Sequence, residues 1–201
     1  MQGRSPPGVL NNAGRESMKK LFVVLAFLLL SVNSYAVDVA GVALDPTVGV
    51  NDKTLTLNGY GIRTKFFFKV YIGALYTAKR VTTSAELLQS PDDKLIRLHF
   101  LHSKVEKEKI TGAFAEGFAN NAPDVATSGD AKTFLSFFTN DFVKGDTVDL
   151  VLGADGTVVA RQNGKVLGTL RSAKLVNGIL LIYVGPKPAD ESLKRGFLGI
   201  R

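Results

Sequence analysis

The chain has 201 residues, of which 25 are lysine or arginine and 18 are aspartate or glutamate, giving a net charge of +7, and it contains no cysteine. Without cysteine, the chain has no means of forming disulfides, thiol nucleophiles, cysteine-ligated zinc sites or iron–sulfur clusters. The positive charge is scattered, with no basic run and no aromatic–basic module, so the composition disfavours nucleic-acid binding.

The N-terminal segment has the composition of a targeting signal. Two lysines precede an apolar run from Leu21 to Leu30, and small residues then lead to Ala36. This order is typical of a cleavable signal peptide, and the run is too short to span a bilayer comfortably. A retained N-terminal anchor is the alternative. We therefore predict three segments, with Met18 as the initiator: a non-native upstream segment at 1–17, a signal peptide at 18–36 cleaved after Ala36, and one exported domain at 37–201.

The first half of the domain alternates apolar and polar residues at the period of β-strands. Strands are predicted at Val37–Val48 with a break at Asp45-Pro46, at Thr54–Leu57, at Phe66–Ala78 and at Leu95–Leu101. Thr83 or Ser84 is predicted to cap a short helix that ends at Leu88. The period of two within Phe66–Ala78 predicts one face made of Phe68, Val70, Ile72, Ala74 and Tyr76, and an opposite face made of Lys69, Tyr71, Gly73 and Leu75.

The second half combines helical patterns with hairpins. Ser103 and Glu106 predict a capping box for a helix that runs to about Asn120. Its buried stripe is predicted as Ile110, Phe114 and Phe118. A loop is predicted at 121–130 and a helix at Ala131–Asp141. Strands are predicted at Thr147–Leu152, Thr157–Arg161 and Lys165–Leu170, with a type I′ turn at Asn163-Gly164. The last two elements are predicted as helices at Lys174–Val184, closed by Gly185, and at Asp190–Leu198. This order predicts an α+β fold with helices packed on one face of an antiparallel sheet.

Few residue patterns in the chain point to a known catalytic chemistry. The two histidines, His99 and His102, are close together on a predicted strand but point to opposite faces, which makes them a poor metal pair, and we interpret them as surface or strand-edge residues. Gly59-x-Gly61 is not a nucleotide fingerprint, because no helix opens after it. Asp92-Asp93 and Glu106/Glu108 are interpreted as a solvated loop and a solvated helix start. We therefore expect neither a metal nor another cofactor.

Arg63 carries the clearest functional signal. It lies in an apolar stretch, and no acidic residue occurs between Asp52 and Glu86, so it has no local carboxylate. An unpaired charge in apolar surroundings is costly, and Arg63 therefore needs another partner. One interpretation is structural, with the guanidinium bonded to loop carbonyls. The other is an anion clamp, in which the guanidinium and the hydroxyl of Tyr71 or Tyr76 hold a carboxylate between apolar walls.

Two blocks of the sequence carry a family resemblance. The first joins Asn58–Arg63 to Lys69–Tyr76, and the second contains Asn163-Gly164-Lys165, Gly168, Ile179–Gly185, Pro188 and Leu193–Gly199. Together they resemble the signature of the chalcone isomerase-like superfamily, most closely its exported bacterial members. The resemblance implies an open-faced β-sandwich in which an antiparallel sheet wraps a layer of helices, with a cleft between them. It also implies one of two activities, since plant chalcone isomerases cyclise chalcones, whereas non-catalytic relatives bind fatty acids through an arginine and a tyrosine.

The resemblance separates these two activities residue by residue. Arg63 matches the arginine that both branches share. Tyr71 falls where the fatty-acid binders carry their carboxylate-binding tyrosine and the enzymes carry a threonine. The enzymes also use a tyrosine expected near 103–110, but no tyrosine occurs between Tyr76 and Tyr183. The match therefore implies a non-catalytic protein whose isomerase residue set is incomplete.

The leading hypothesis is a periplasmic, non-catalytic binding protein for a fatty acid or similar amphiphilic carboxylate. We expect a monomer with no nucleic-acid partner and no membrane span after signal cleavage. The candidate ligand-binding residues are Arg63, Tyr71, Tyr76, Phe68, Phe114 and Phe118, with Phe66, Phe67, Phe134 and Phe138 as further candidate walls. For each phenylalanine the alternative is a place in the core. The alternative functions are an envelope interaction module with a structural Arg63, and an intramolecular lyase or isomerase in which Arg63 stabilises an oxyanion.

Overall fold

The structure is a computed structural model that describes Gly3 and residues 36–200. The predicted upstream segment and signal peptide otherwise lie outside the described residues. The strands are β1 (Val37–Val39), β2 (Val42–Leu44), β3 (Thr47–Val50), β4 (Lys53–Lys65), β5 (Phe68–Thr77), β6 (Lys94–Phe100), β7 (Lys104–Val105), β8 (Phe142–Val143), β9 (Thr147–Leu152), β10 (Thr157–Gln162) and β11 (Lys165–Arg171). The helices are α1 (Ser84–Gln89), α2 (Lys107–Asn121), α3 (Pro123–Ala126), α4 (Gly129–Ser136), α5 (Ala173–Val184) and α6 (Glu191–Phe197).

The centre of the domain is an antiparallel sheet of seven strands in the order β11-β10-β9-β6-β5-β4-β3. Two short ribbons, β1–β2 and β7–β8, pair separately. The helices supply the apolar side chains that pack with one face of the sheet. The prediction of an α+β fold with an antiparallel sheet against a layer of helices is therefore confirmed.

The two faces of β5 belong to different parts of the core. Tyr71 and Leu75 lie in the large cluster that includes the helices. Ile72, Ala74 and Tyr76 lie in a second cluster with residues of β1, β2 and β3. The alternation predicted for β5 is thus confirmed over Tyr71–Tyr76.

The alternation fails at the start of β5. Phe68 and Val70 were expected on the face of Ile72, but they line a cleft on the helix side together with Arg63. The pairing register between β4 and β5 shifts between Arg63 and Thr64. Such an irregularity re-aims the side chains around it, because the extra residue breaks the strict period of two.

The β4–α6 contact explains the glycine pattern of the first sequence block. The predicted strand Thr54–Leu57 is only the first part of β4, which continues through Gly59 and Gly61 to Lys65. A Cβ at Gly59 would meet the carbonyl oxygen of Gly196 in α6, so the two backbones touch there. The buried Asn58 side chain fixes the same junction, since it donates to Phe197 O at 2.7 Å and Val81 O at 2.9 Å. These glycines therefore serve backbone packing.

The helices differ from prediction mainly at their ends. Ser103 is not a cap, because the next residues form β7 and pair with β8, and α2 begins after Glu106 without a side-chain cap. The buried stripe of α2 is confirmed, with Ile110, Phe114 and Phe118 all buried. α3 occupies part of the predicted loop 121–130, and α4 begins earlier than predicted, under a Ser128 cap, and ends at Ser136.

The remaining local signals are mostly confirmed. Thr83 caps α1 in a complete capping box with Glu86. Asn163 and Gly164 have φ of +52° and +81°, as a type I′ hairpin turn requires. Gly185 follows α5 as predicted but has φ of −70°, so it is not a left-handed cap. Within residues 36–200 the helices are too short or too polar for any of them to cross a bilayer.

Candidate functional site

Arg63 and Tyr71 are brought together by the β4–β5 pairing. They are direct register partners on the two strands. The Arg63 Nη1 donates to the Tyr71 hydroxyl at 3.4 Å, and its Cζ lies 5.6 Å from the centre of the Tyr71 ring. The tyrosine therefore contacts the guanidinium through both its oxygen and its ring face.

A second tyrosine, which the sequence did not single out, completes this group. Tyr183 lies on α5 and is 1% exposed, while Tyr71 is 2% exposed. Its ring stacks on Phe197 of α6 at a centroid distance of 5.3 Å, and Tyr71 packs edge-on against Phe100 at 5.7 Å. Among the described residues, the Tyr183 hydroxyl has no hydrogen-bond partner of good geometry, although the Tyr71 side chain lies close enough to influence it. A buried hydroxyl without a partner is costly, which makes the Tyr183 hydroxyl a candidate donor to a bound molecule.

The charges of the site follow from burial and from the tyrosines. Burial opposes the charge of Arg63, but Tyr71 favours it, and the net effect raises the pKa of Arg63 above its ordinary value. Burial also raises the pKa of Tyr183 well above its ordinary value, and neighbouring Tyr71 adds to this effect while Arg63 opposes it. The site thus offers a fixed cation and a neutral hydroxyl that can donate a hydrogen bond.

Arg63 lacks an acidic partner within the described part of the chain. None of the ion pairs formed there involves Arg63. Asp190 contributes to the raised Arg63 pKa, but its carboxylate is occupied by the backbone N–H groups of Ser192, Leu193 and Thr64. Its role there is that of the N-cap of α6. The sequence expectation of a cation without a local carboxylate therefore agrees with the geometry.

The guanidinium lies on the wall of a cleft between the end of the β4–β5 hairpin and the first half of α2. The cleft has a volume of about 660 Å³, which lies in the range of small-molecule sites. Its apolar lining consists of Phe66, Phe68, Val70, Val105, Ile110 and Ala113. Its polar rim consists of Lys65, His102, Lys104, Glu106, Glu108, Lys109 and Glu116. The cleft thus combines an apolar interior and the Arg63 guanidinium with a rim of mixed charge.

Behind the cleft lies a much smaller chamber that contains the two tyrosines. The chamber has a volume of about 10 Å³ and is lined by Arg63, Tyr71, Leu98, Ile110, Ala113, Phe114, Ile182, Tyr183 and Ala189. That is about the space of one water molecule. Arg63, Ile110 and Ala113 line both spaces and therefore separate them. A long apolar chain fits the cleft but not the chamber.

The structure brings together four of the six predicted site residues. Arg63 and Phe68 line the cleft, and Tyr71 and Phe114 line the chamber. Tyr76 points to the opposite face of the sheet, where its hydroxyl donates to Asp45 O at 3.0 Å. Phe118 is fully buried in the helical core and lines neither space. We therefore leave Tyr76 and Phe118 out of the proposed site.

The further phenylalanines divide in the same way. Phe134 and Phe138 belong to an aromatic core cluster with Phe114, at ring distances of 5.3 and 5.5 Å from it. Phe66 lines the cleft but is 85% exposed, and Phe67 is 96% exposed. Phe134 and Phe138 are therefore core residues. Phe67 is neither a core residue nor a wall of the cleft.

No metal site accompanies the cleft in the part of the chain that the structure describes, where no group of three His, Cys, Asp or Glu side chains is placed to hold an ion. His102 lies at the cleft, with its ring 5.3 Å from that of Phe68. His99 lies on the central strand β6, and its Nε2 is buried without a partner among the described residues. The expectation of two surface or edge histidines is therefore wrong for His99.

An antiparallel sheet packed against helices, with an arginine and a tyrosine beside a cleft, is the arrangement that the family resemblance implied. Comparison with known families leads to the same class of protein. The family model described as chalcone isomerase-like matches residues 36–199. The chain therefore belongs to the chalcone isomerase-like family, as the two sequence blocks indicated.

The comparisons in sequence and in structure both point to a fatty-acid-binding protein of Arabidopsis thaliana. The protein named fatty-acid-binding protein 1 is 24% identical over 118 residues, which is 56% of this chain and 42% of that protein. The chain thus matches less than half the length of that relative. The crystal structure of a fatty-acid-binding protein from the same plant has a TM-score of 0.61 and 19% sequence identity, covering 81% of this chain and 95% of that one. At that identity the second likeness supports the fold alone.

Proposed function

We propose that this chain is a non-catalytic binding protein for a fatty acid or a similar amphiphilic carboxylate, and that it acts in the periplasm. Membership of the chalcone isomerase-like family and similarity to a plant protein named as a fatty-acid binder support the binding role. The charged, apolar and small-residue order of residues 18–36 supports export.

The observation that carries the proposal is that Arg63 lies at the cleft without an acidic partner among the described residues. Its guanidinium lies on the cleft wall, and the partner it has among the described residues is a neutral phenol. A carboxylate is the group that a guanidinium binds best, because two N–H donors match two oxygens. The unpartnered Tyr183 hydroxyl behind it offers a further donor to the same head group.

The volumes indicate how the ligand would lie. The head group would occupy the boundary between cleft and chamber, where it meets Arg63 and approaches Tyr71 and Tyr183. The acyl chain would run outward along Phe68 and Val70 in the cleft of about 660 Å³. Of the candidate walls named from the sequence, Phe68 and Phe66 lie along this path, whereas the helix residues Phe118, Phe134 and Phe138 fill the core.

The residues opposite Arg63 favour binding over turnover. The stretch where the resemblance implies a catalytic tyrosine contributes six residues to the cleft, and none of them is a phenol. They are Lys104, Val105, Glu106, Glu108, Lys109 and Ile110. A rate of chalcone cyclisation above background that depends on Arg63 would support the isomerase instead.

The test is displacement of a fluorescent fatty acid by palmitate from the wild-type protein and two variants. Arg63→Ala is expected to weaken binding by about 1.5–3 kcal/mol, the range for a contact with a charged group. Arg171→Ala is the matched control, because Arg171 is an exposed cation on β11 away from the cleft. Equal affinity of the wild type and Arg63→Ala would refute the clamp.

The second candidate is an envelope interaction module in which Arg63 is structural. The small chamber favours it, because little space is prepared behind Arg63. Under this alternative, Arg63→Ala lowers the melting temperature and no lipid co-purifies with the wild type. The predicted location is checked separately, by cell fractionation and the mass of the mature protein; a cytoplasmic product that retains residues 18–36 would contradict export.

A further inference from the structure

The tip of the β4–β5 hairpin exposes three consecutive aromatic side chains. Phe66 is 85% exposed, Phe67 is 96% exposed and Phe68 is 61% exposed. Elsewhere in the described residues, the large hydrophobic side chains that are exposed are single aliphatic ones, such as Val143 and Val166. Adjacent exposed rings differ from scattered surface apolar residues and indicate a contact surface.

The backbone at this tip is unfavourable for the residue it carries. Phe66 has φ of +55°, and it is the first of the two residues that link β4 to β5. Glycine or asparagine is favoured at such a position, and a bulky aromatic residue is disfavoured. Folding alone would therefore be served better by a small residue, and this local strain points to a role for the ring outside the fold.

Two lysines bracket the aromatic tip. Lys65 and Lys69 are both exposed, and no acidic residue lies between them in the sequence. The acidic side chains Glu106, Glu108 and Glu116 belong to the opposite wall of the cleft, where Lys104 and Lys109 accompany them. The tip thus combines an apolar end with positive charge on each side.

We propose that the hairpin tip Lys65–Lys69 docks on the surface of an anionic lipid bilayer. Aromatic rings partition into the interfacial region, and lysines extend their charges to anionic head groups. A second copy of the chain fits less well. Three aromatic side chains bury at most about 450–750 Å², whereas a stable interface needs about 800 Å² from each partner.

Docking at this tip would place the cleft at the membrane surface. Lys65, Phe66 and Phe68 are tip residues that also line the cleft. An amphiphilic carboxylate would then exchange between bilayer and cleft without crossing water. This exchange role rests on the proposed function, whereas docking itself does not.

The absence of tryptophan allows a local test of docking. Phe67→Trp and Val166→Trp each give the full chain a single tryptophan, one at the tip and one on the edge strand β11. Each is mixed with vesicles of phosphatidylcholine and phosphatidylglycerol, with and without brominated acyl chains. We expect a blue shift and bromine quenching for Phe67→Trp and neither for Val166→Trp. Residues outside the described range are the same in both proteins, so a difference between the two spectra reports on the two tryptophan positions.

The partition of the protein onto the same vesicles tests the individual side chains. Phe66→Gly is expected to lower the partition coefficient by about tenfold, and Lys65→Gln by about fivefold. Lys165→Gln, on the β10–β11 hairpin, is the matched control and should leave partition unchanged. The variant Phe66→Gly should also remain folded, since its ring is exposed.

Three results would overturn the proposal. The first is a Phe67→Trp spectrum that vesicles do not change. The second is equal quenching at positions 67 and 166, which would mean that another segment holds the protein on the vesicle. The third is a blue shift without vesicles that rises with protein concentration, which would assign the tip to self-association. Palmitate displacement is measured without vesicles, so docking and ligand binding succeed or fail separately.

Discussion

Arg63 and Tyr71 face each other across the β4–β5 ladder, and the guanidinium of the first donates to the hydroxyl of the second at 3.4 Å. The pairing of two strands of the central sheet therefore sets their distance. A site held by strand register is largely preformed, so binding costs little ordering of these side chains.

The Tyr71→Phe variant isolates the hydroxyl of this pair. Its ring should keep its edge-on contact with Phe100, so stability should change little. Fatty-acid affinity should fall by about 0.5–1.5 kcal/mol, the usual worth of a neutral hydrogen bond. A double-mutant cycle with Arg63→Ala, read by ligand displacement, should give non-additive losses because both groups serve one head group. Additive losses of affinity would contradict the proposal that Arg63 and Tyr71 bind the same head group.

The Tyr183→Phe variant should move stability and affinity in opposite directions. The hydroxyl is buried without a partner among the described residues, so its removal should raise the free energy of unfolding by about 1 kcal/mol. Ligand affinity should fall if that hydroxyl completes the head-group site. Chemical denaturation and displacement measure the two quantities. A loss of stability would show that the hydroxyl is satisfied in the free protein.

Because β4 and α6 touch through their backbones, we expect a single added methyl group at this contact to lower the stability of the domain. Gly196→Ala should destabilise the domain by about 1–3 kcal/mol, because its Cβ would strike the carbonyl of Tyr60 and force the backbones apart. Gly112→Ala is the control: Gly112 lies inside α2 with open space around it, and alanine should stabilise by about 0.5–1 kcal/mol. Equal melting temperatures of the two variants would contradict the close contact.

Because His99 is partly buried, we expect the folded protein to lose stability on mild acidification. Burial, and then the charge of Arg97, lowers the pKa of His99, while Asp149 and Asp45 oppose that effect. The unfolded chain therefore binds the proton more readily than the folded one. The contribution of His99 is full above the unfolded pKa of about 6.5 and is lost as pH falls through the lower folded value. Denaturation between about pH 7 and pH 5 should show this slope, and His99→Gln should reduce it. An equal slope in both proteins would refute the assignment.

Local sequence patterns predicted most of the sheet, because period-two alternation and turn residues act over a few neighbours. They could not predict the register shift beside Arg63, which depends on how β4 pairs with β5 and which moves Phe68 and Val70 to the cleft. They also assigned Ser103 to a helix cap, whereas β7 pairs with the distant β8.

The site shows the same limit. The residues alone left Tyr71 and Tyr76 as alternative partners of Arg63, and the family resemblance selected Tyr71. Tyr183 was missed because α5 brings it to the site from far along the chain. Its one local signal was a lone phenol in an otherwise apolar helix. Tyr76 lies on the same strand as Tyr71 but an odd number of residues away, so its side chain points to the opposite face of the sheet.

The central claim is that Arg63 holds the carboxylate of an amphiphilic ligand, and native mass spectrometry of protein recovered from cells tests it most directly. The wild type should carry a bound mass that extraction identifies as a long-chain carboxylic acid. The Arg63→Gln variant should remain folded and lose that mass, while Arg171→Gln retains it. Ligand-free wild type that also fails to take up added palmitate, or equal occupancy in the wild type and Arg63→Gln, would contradict the claim.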